Sequence, residues 1–286
     1  MKTIGVIANW GKPYTRPTVE RLAQKAGSLG ARLVCCEASA EPTENMTRMD
    51  RADMIQEADI LAALGGDGTV LRTVRFLSGS EIPMLGINIG SLGFMTSVPE
   101  NELEEALEQI QQGSYSISIR SMIDCKVRRD GELVGQFEAL NDIAVGWGQS
   151  SRVVSLGVFV NWESVTSFLC DGLILSTPTG STGHSLSAGG PILHPETNVF
   201  VLSMICPHTL SNRPLVLPDN SEIAIEILST SKDLLLSADG QEHITLQEGD
   251  RIEMEKSLHV ARLIRLPGHS YFSLLRQKLH WRGSNV

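Results

Sequence analysis

The pattern of hydrophobic and polar positions changes character near residue 120. Before it, short apolar runs alternate with segments of helical period. Thr3 to Ala8 reads as a buried strand, followed by a polar loop (Asn9, Gly11, Lys12, Pro13) and a helix over about Pro17 to Ser28, with Val19, Leu22, Ala23 and Ala26 on one face. Ala31 to Cys35 predicts a second strand and Met49 to Glu57 a weaker helix. Ile60 to Leu64 predicts a third strand, which runs into Gly65-Gly66-Asp67-Gly68-Thr69 and a helix starting near Val70. Met84 to Asn88 predicts another strand. Glu102 to Gln112 is an amphipathic helix (Leu103, Ala106, Leu107, Ile110) stopped at Gly113. Strands alternating with helices imply an α/β lobe built on a mostly parallel sheet.

After about Ser114 strand-like runs recur with turn residues between them. They cover Ser116 to Ile119, Asp124 to Arg129, Leu133 to Glu138, Asp142 to Gly146, Val153 to Val160, Gly172 to Ser176, Val199 to Ile205, Glu222 to Ile227, Leu234 to Ala238, Arg251 to Lys256 and Ala261 to Leu266. Asp130-Gly131 is a hairpin signal, and Pro267-Gly268 precedes a last helix over Tyr271 to Leu279. The expected domains are residues 1–120 (α/β, carrying the glycine loop), residues 121–267 (β-rich) and residues 268–286, a C-terminal helix packing back on the first domain.

Composition narrows the class. At 286 residues, with 42% hydrophobic and 20% charged positions, the chain is an ordinary globular protein long enough for two lobes. A net charge of −9 argues against a nucleic-acid surface, which needs clustered Lys and Arg. Five cysteines (Cys35, Cys36, Cys125, Cys170, Cys206) form no Cys-x-x-Cys pair, so reduced thiols in a cytoplasmic protein are expected. No signal-peptide pattern opens the chain, and no stretch approaches the roughly 18 apolar residues of a membrane span.

Four segments carry candidate chemistry. In Gly65-Gly66-Asp67-Gly68-Thr69, between a strand and a helix, glycines admit a phosphate close to the backbone and the helix start supplies free N–H donors. The loop is neither a Walker A loop nor a Gly-x-Gly-x-x-Gly fingerprint. An acid among glycines repels phosphate, so Asp67 reads as a general base, as a group positioning a magnesium-bound phosphate, or as a helix N-cap. The stretch Asp171 to Pro191 is a strand ending in a hydroxyl- and glycine-rich turn, suited to a ribose or phosphate or else a solvated loop. His184 beside Ser185 makes no hydrolase elbow. Asn141-Asp142 is either a turn or a pair that reads a nucleoside through hydrogen bonds. Gly86 to Phe94 is a strand followed by a glycine-rich crossing, in which Asn88 and Phe94 are candidates. Glu102, Glu104, Glu105 and Glu108 read as the wet face of a helix, and the seven histidines show no metal-ligand spacing.

Together these segments resemble the NAD kinase family over nearly the whole chain. Gly65 to Thr69, Asn88 to Thr96, Asn141-Asp142 and above all Asp171 to Pro191 occur in the family's order, and Pro207 to Val216 and Asp239-Gly240-Gln241 are also similar. The glycine-Asp loop alone is shared with lipid and sugar kinases; the later segments discriminate. The resemblance implies transfer of the γ-phosphate of ATP to the 2′-hydroxyl of the adenosine ribose of NAD, with Asp67 as general base. It implies a nucleotide-binding set in which Gly66 and Gly68 help form the ATP-phosphate site, with Thr69, Arg72, Asn88 and Phe94 as further binding residues. Asn141 and Asp142 would contact NAD, and Asp171 would approach its nicotinamide end, in many members across a subunit interface. Thr179, Thr182, Gly183, His184 and Ser187 would line the pocket. Magnesium or another divalent cation bound with ATP, and a homodimer or homotetramer, are implied likewise. Many members have Ala-Tyr where this chain has Gly183-His184, so an imidazole replaces the usual aromatic contact. A non-catalytic NAD(P)-binding regulator is the alternative from another class; its mark would be loss of the acid in the glycine loop, and Asp67 is present.

Overall fold

The structure, a computed structural model, describes residues 1–286 except 37–45, 97, 148–152, 230–233 and 282–286. It divides into two units, Met1–Ile119 with Ala261–Val286, and Arg120–Val260.

The first unit begins with β1 (Thr3–Ala8), α1 (Thr15–Ser28), β2 (Arg32–Cys35), β3 (Met46–Arg48), α2 (Arg51–Glu57), β4 (Ile60–Gly65), α3 (Asp67–Leu77), β5 (Met84–Asn88), β6 (Val98–Pro99) and α4 (Leu103–Gln111). Every residue of β1, β4 and β5 is buried, which requires cover on both faces and explains their unbroken apolar runs. The pairings β3-β2-β1-β4-β5, with β6 on β5, are all parallel. The apolar stripe of α1 (Val19, Leu22, Ala23, Ala26) and that of α4 (Leu103, Ala106, Leu107, Ile110) join the strand side chains in one core. Asp50 caps α2 by accepting the N–H of Asp53 at 2.9 Å. The acidic face of α4 is not simply wet: Arg21 of α1 bonds Glu104 through two nitrogens at 2.9 and 3.0 Å, and Lys25 pairs with Glu108. The Arg21 hydrogen bond holds the Glu104 carboxyl below its usual range.

The second unit contains β7 (Ser116–Arg129), which enters it at Arg120, then β8 (Glu132–Ala139), β9 (Asp142–Trp147), β10 (Val154–Val160), β11 (Glu163–Cys170), β12 (Gly172–Ser176) and α5 (His184–Ser187). It continues with β13 (Val199–Ile205), β14 (Leu215–Pro218), β15 (Ile223–Ser229), β16 (Leu234–Ala238), β17 (Glu242–Thr245) and the first part of β18 (Arg251–Arg265). One antiparallel sheet runs β14-β13-β12-β9-β16-β17; the other carries β11-β10-β15-β18 and the β7-β8 hairpin. Alternate residues of both sheets, such as Ile143 and Val145, Leu173 and Leu175, and Ile223, Ile225 and Ile227, meet in a single core. Phe200 is among its largest fully buried side chains. Truncating such a side chain to alanine costs about 3–5 kcal/mol. The β7-β8 turn places Asp130 and Gly131 at φ 51° and 84°, the two left-handed positions that a tight hairpin needs.

The last residues of β18 return to the first unit, where Leu263 pairs with Met84 in parallel. There α6 (Tyr271–Lys278) buries Leu275, and the Lys278 ammonium donates to the Leu92 carbonyl at 2.8 Å. The final five residues of the expected C-terminal segment lie outside the described residues.

The α/β lobe on a parallel sheet and the β-rich second lobe match the expected fold class. The differences have local causes. Ser116–Arg129 is one strand rather than two, and Arg251–Arg265 is likewise continuous. At the polar interruption in β18 the Ser257 hydroxyl donates to Glu138 at 2.6 Å and accepts the His259 N–H at 2.9 Å, so polar side chains find partners without ending the strand. Strands β11, β14 and β17 were not anticipated. Each lies at a sheet edge, and none has a fully buried alternate face to write an apolar period into the sequence.

Candidate functional site

In the first unit the chain moves from β1 outward to β2 and β3, then back to β4 on the other side of β1. Parallel sheets bind ligands at such a reversal, beyond the carboxyl ends of the strands. The glycine loop stands there, leaving the end of β4. Gly65 is needed by the fold itself, because an added Cβ would lie 2.1 Å from the Thr69 hydroxyl oxygen. Gly66 and Gly68 are different. An added Cβ would meet nothing within 4 Å at either, and neither has a left-handed φ. Their small size leaves the backbone at the start of α3 uncovered by side chains, where an anion can approach the helix N-terminus.

Asp67 is the first residue of α3; Gly66 is the N-cap and no side chain caps the helix, so the capping role weighed for Asp67 is not what the structure shows. Its carboxylate reaches the glycine-rich crossing instead, accepting the N–H of Phe94 on Oδ2 and that of Met95 on Oδ1, both at 2.8 Å. Each carboxylate oxygen has a second acceptor position beyond those bonds. Gly93 makes the seat, since a Cβ there would lie 2.1 Å from Asp67 Oδ1. Nearby, Thr69 is buried with its N–H on the Gly66 carbonyl at 2.8 Å. Arg72 donates to the Ala8 carbonyl at 2.6 Å, at the end of β1. Asn88 is buried at the end of β5, and its Oδ1 has no hydrogen-bond partner among the described residues. The Phe94 ring lies 5.6 Å from the Lys278 ammonium. Lys12, which pattern alone did not single out, donates to the Ile89 carbonyl at 2.8 Å.

In the second unit the residues from Leu140 to Asp142 are held on both sides. Their three N–H groups donate to the Asp239 carboxylate at 2.9, 2.7 and 3.1 Å. The Leu140 carbonyl accepts the Thr177 hydroxyl at 2.5 Å, and the Asn141 carbonyl accepts the Thr177 N–H at 2.9 Å and the Ser176 hydroxyl at 3.2 Å. Gly180 must be glycine, because a Cβ would lie 2.2 Å from the Asn141 carbonyl oxygen. Asn141 Oδ1 is thereby buried with no partner among the described residues. The turn that follows β12 forms a short 3₁₀ segment over Gly180–Thr182 and then α5. Thr179 is buried, with Arg120 3.4 Å from its hydroxyl; Thr182 is half-buried, and Gly183, His184 and Ser187 are exposed. Asp171 is half-buried at the β11-β12 junction, its N–H on the Ile205 carbonyl. The second unit thus brings Asn141, Asp142 and Thr179 to one hydrogen-bonded region. Sequence reasoning gave no individual role to Asp239, Arg120 or Thr177 there, although Thr177 lies within the Asp171–Pro191 stretch and Asp239 within the Asp239-Gly240-Gln241 segment that it singled out.

Among the described residues no group of three His, Cys, Asp or Glu side chains could hold a metal ion, and no helix is long and apolar enough to cross a membrane.

Burial, and then the charge of Asp239, push the Asp142 carboxyl up to about 7. The folded state therefore favours its neutral form. That contribution to stability is fully present below the unfolded carboxyl value near 4 and is lost as pH rises through about 7. Between pH 5 and pH 8 the unmodified protein is expected to lose about 1–3 kcal/mol relative to Asp142→Asn, measured by urea unfolding. Parallel pH profiles for the two proteins would contradict the assignment.

Comparison with known proteins identifies the family. The family model for the ATP-NAD kinase N-terminal domain matches residues 7–115, and that for the ATP-NAD kinase C-terminal domain matches residues 140–266. An NAD kinase of Citrifermentans bemidjiense is 38% identical over 98% of this chain and 99% of its own length. One of Syntrophotalea carbinolica is 42% identical over 81% of each. Among solved structures, a yeast NADH kinase complexed with NADH superposes with a TM-score of 0.90 at 26% identity, covering 100% of this chain and 89% of that one. An NAD kinase from Archaeoglobus fulgidus in complex with ATP gives 0.77 at 25% identity, covering 99% and 100%. With both domain models matched in order and near-full-length relatives well above 30% identity, the chain belongs to the NAD kinase family and is an enzyme of that class.

Proposed function

We propose that this enzyme transfers the γ-phosphate of ATP to the 2′-hydroxyl of the adenosine ribose of NAD, with Asp67 as the general base. The observation that carries the base assignment is the seat of the Asp67 carboxylate. It is fixed by two backbone N–H bonds, it stands between two glycines that the fold does not require, and it keeps acceptor capacity for a third donor. In the step proposed, the ribose oxygen bonds to the γ-phosphorus in line with the departing bridging oxygen of ADP, and the hydroxyl proton passes to Asp67. The backbone around Gly66 and Gly68, which no side chain covers, takes the phosphates, with Thr69 and Arg72 completing that side of the site.

Asn88 and Phe94 in the first unit, and Asn141, Asp142 and Thr179 in the second, are each assigned to nucleotide binding within their own unit. The unpartnered amide oxygens of Asn88 and Asn141 support this, because a buried acceptor costs free energy until a donor reaches it. Thr182, Gly183, His184 and Ser187 of the second unit are assigned to nucleotide binding as well, and His184 supplies an imidazole where the family resemblance expects an aromatic ring. Asp171 approaches the nicotinamide end within a homodimer or homotetramer. The donor set fits a magnesium ion that travels with the ATP phosphates: Asp67 offers a single carboxylate, and magnesium commonly binds one or two carboxylates plus phosphates. Bound there, it would offset phosphate charge. The five cysteines form no Cys-x-x-Cys pair, in keeping with action in the cytoplasm.

The test is NADP formation from NAD with ATP and magnesium, read by an NADP-specific dehydrogenase. Asp67→Ala is expected to lower kcat by about 10²- to 10⁴-fold while changing the KM for NAD far less. Turnover close to that of the unmodified enzyme would remove Asp67 from the chemistry, and NAD binding without any product would favour the regulator.

A further inference from the structure

The Asp239 carboxylate is the acceptor for three successive backbone N–H groups, those of Leu140, Asn141 and Asp142. Such a run of donors is a concave anion site in its own right, and here the anion is a side chain about one hundred residues distant in sequence. Asp239 reaches it from the turn between β16 and β17, where Asp239 and Gly240 take left-handed φ values of 53° and 65° and the Gln241 N–H closes on the Ala238 carbonyl at 3.0 Å. Only Gly, Asn and Asp adopt that conformation readily, and of these only Asp presents two acceptor oxygens. The turn is tied from the other direction as well, since the Asp239 N–H donates to the Asp142 carbonyl at 2.9 Å.

With Asp239 on the N–H side and Thr177 and Ser176 on the carbonyl side, the backbone polar groups of Leu140 and Asn141 are all occupied. What remains unoccupied is the Asn141 side-chain oxygen, buried and without a partner among the described residues. We infer that Asp239 is a positioning residue for nicotinamide-dinucleotide recognition: its carboxylate clamps the backbone at Leu140–Asp142 so that the Asn141 and Asp142 side chains meet the nucleotide in one fixed geometry. This rests on the reading of Asn141-Asp142 as NAD contacts. In this role Asp239 acts through the backbone it holds and is not a catalytic residue.

The experiment compares Asp239→Asn, Asp239→Ala and Asn141→Ala in the full-length enzyme, with NAD affinity from titration calorimetry, steady-state kcat and KM for ATP, and thermal midpoints for integrity. Asparagine tolerates the left-handed turn and keeps one oxygen for the Asn141 and Asp142 N–H groups, but it sets an amino group against the Leu140 N–H. Asp239→Asn is expected to weaken NAD binding about tenfold with little change in kcat or in the KM for ATP, and Asp239→Ala to weaken it further, toward about a hundredfold. Should the alanine variant fail to fold, Asp239→Asn alone decides. NAD affinity unchanged in Asp239→Asn, while Asn141→Ala weakens it, would overturn the positioning role. Equal losses for NAD and ATP would also overturn it, because a general structural defect explains them. Asn141→Ala without effect on NAD would instead overturn the reading of Asn141-Asp142.

Discussion

A carboxylate placed against successive backbone N–H groups is the interaction on which both candidate regions depend. Loops that approach a ligand cannot pair their amides within a helix or sheet, and a buried N–H without an acceptor costs about 1–3 kcal/mol. Asp67 supplies acceptors for Phe94 and Met95, and Asp239 supplies them for Leu140, Asn141 and Asp142. In each case one short acidic side chain satisfies several donors at once and converts an irregular segment into a fixed one. Bonds to a charged acceptor are also the stronger kind.

The two units supply different things because their architectures leave different groups free. A parallel sheet with its strands buried on both faces frees the strand ends and helix starts, where N–H donors collect; that is the place of the glycine loop, α3 and the Asp67 carboxylate. An antiparallel sandwich frees its connections, which here bring side-chain amides, hydroxyls and Asp142 together around the start of β9. Asp142 illustrates the electrostatic cost of the second arrangement: burial, and then the charge of Asp239, push its carboxyl up to about 7.

Much of this was legible in the amino-acid sequence where a single local pattern determines the outcome. Buried strands such as Thr3–Ala8, Gly172–Ser176 and Val199–Ile205 declare themselves by unbroken apolar runs, and the glycine loop by its place between a strand and a helix. The Asp130-Gly131 turn follows from residue chemistry alone. The edge strands β11, β14 and β17 were invisible because they bury too little to carry a period. The acceptor role of Asp67 was invisible for another reason: its partners lie 27 and 28 residues away and are backbone groups, which leave no mark on residue identity. The one trace is Gly93, whose missing Cβ makes room for the carboxylate, and that trace is read only once the contact is known.

Gly93 also gives the most direct test of the claim that the seat of the Asp67 carboxylate, and not merely its presence, sustains the reaction. In Gly93→Ala the carboxylate is chemically intact, but the added methyl group would fall 2.1 Å from its Oδ1 and must displace it. The measurement is kcat for NADP formation at saturating ATP, magnesium and NAD, with the far-ultraviolet spectrum and thermal midpoint recorded on the same preparation. The account predicts a folded protein whose kcat falls by about tenfold or more, as a shift of order 1 Å in a catalytic group does. A folded Gly93→Ala enzyme with undiminished kcat would contradict it.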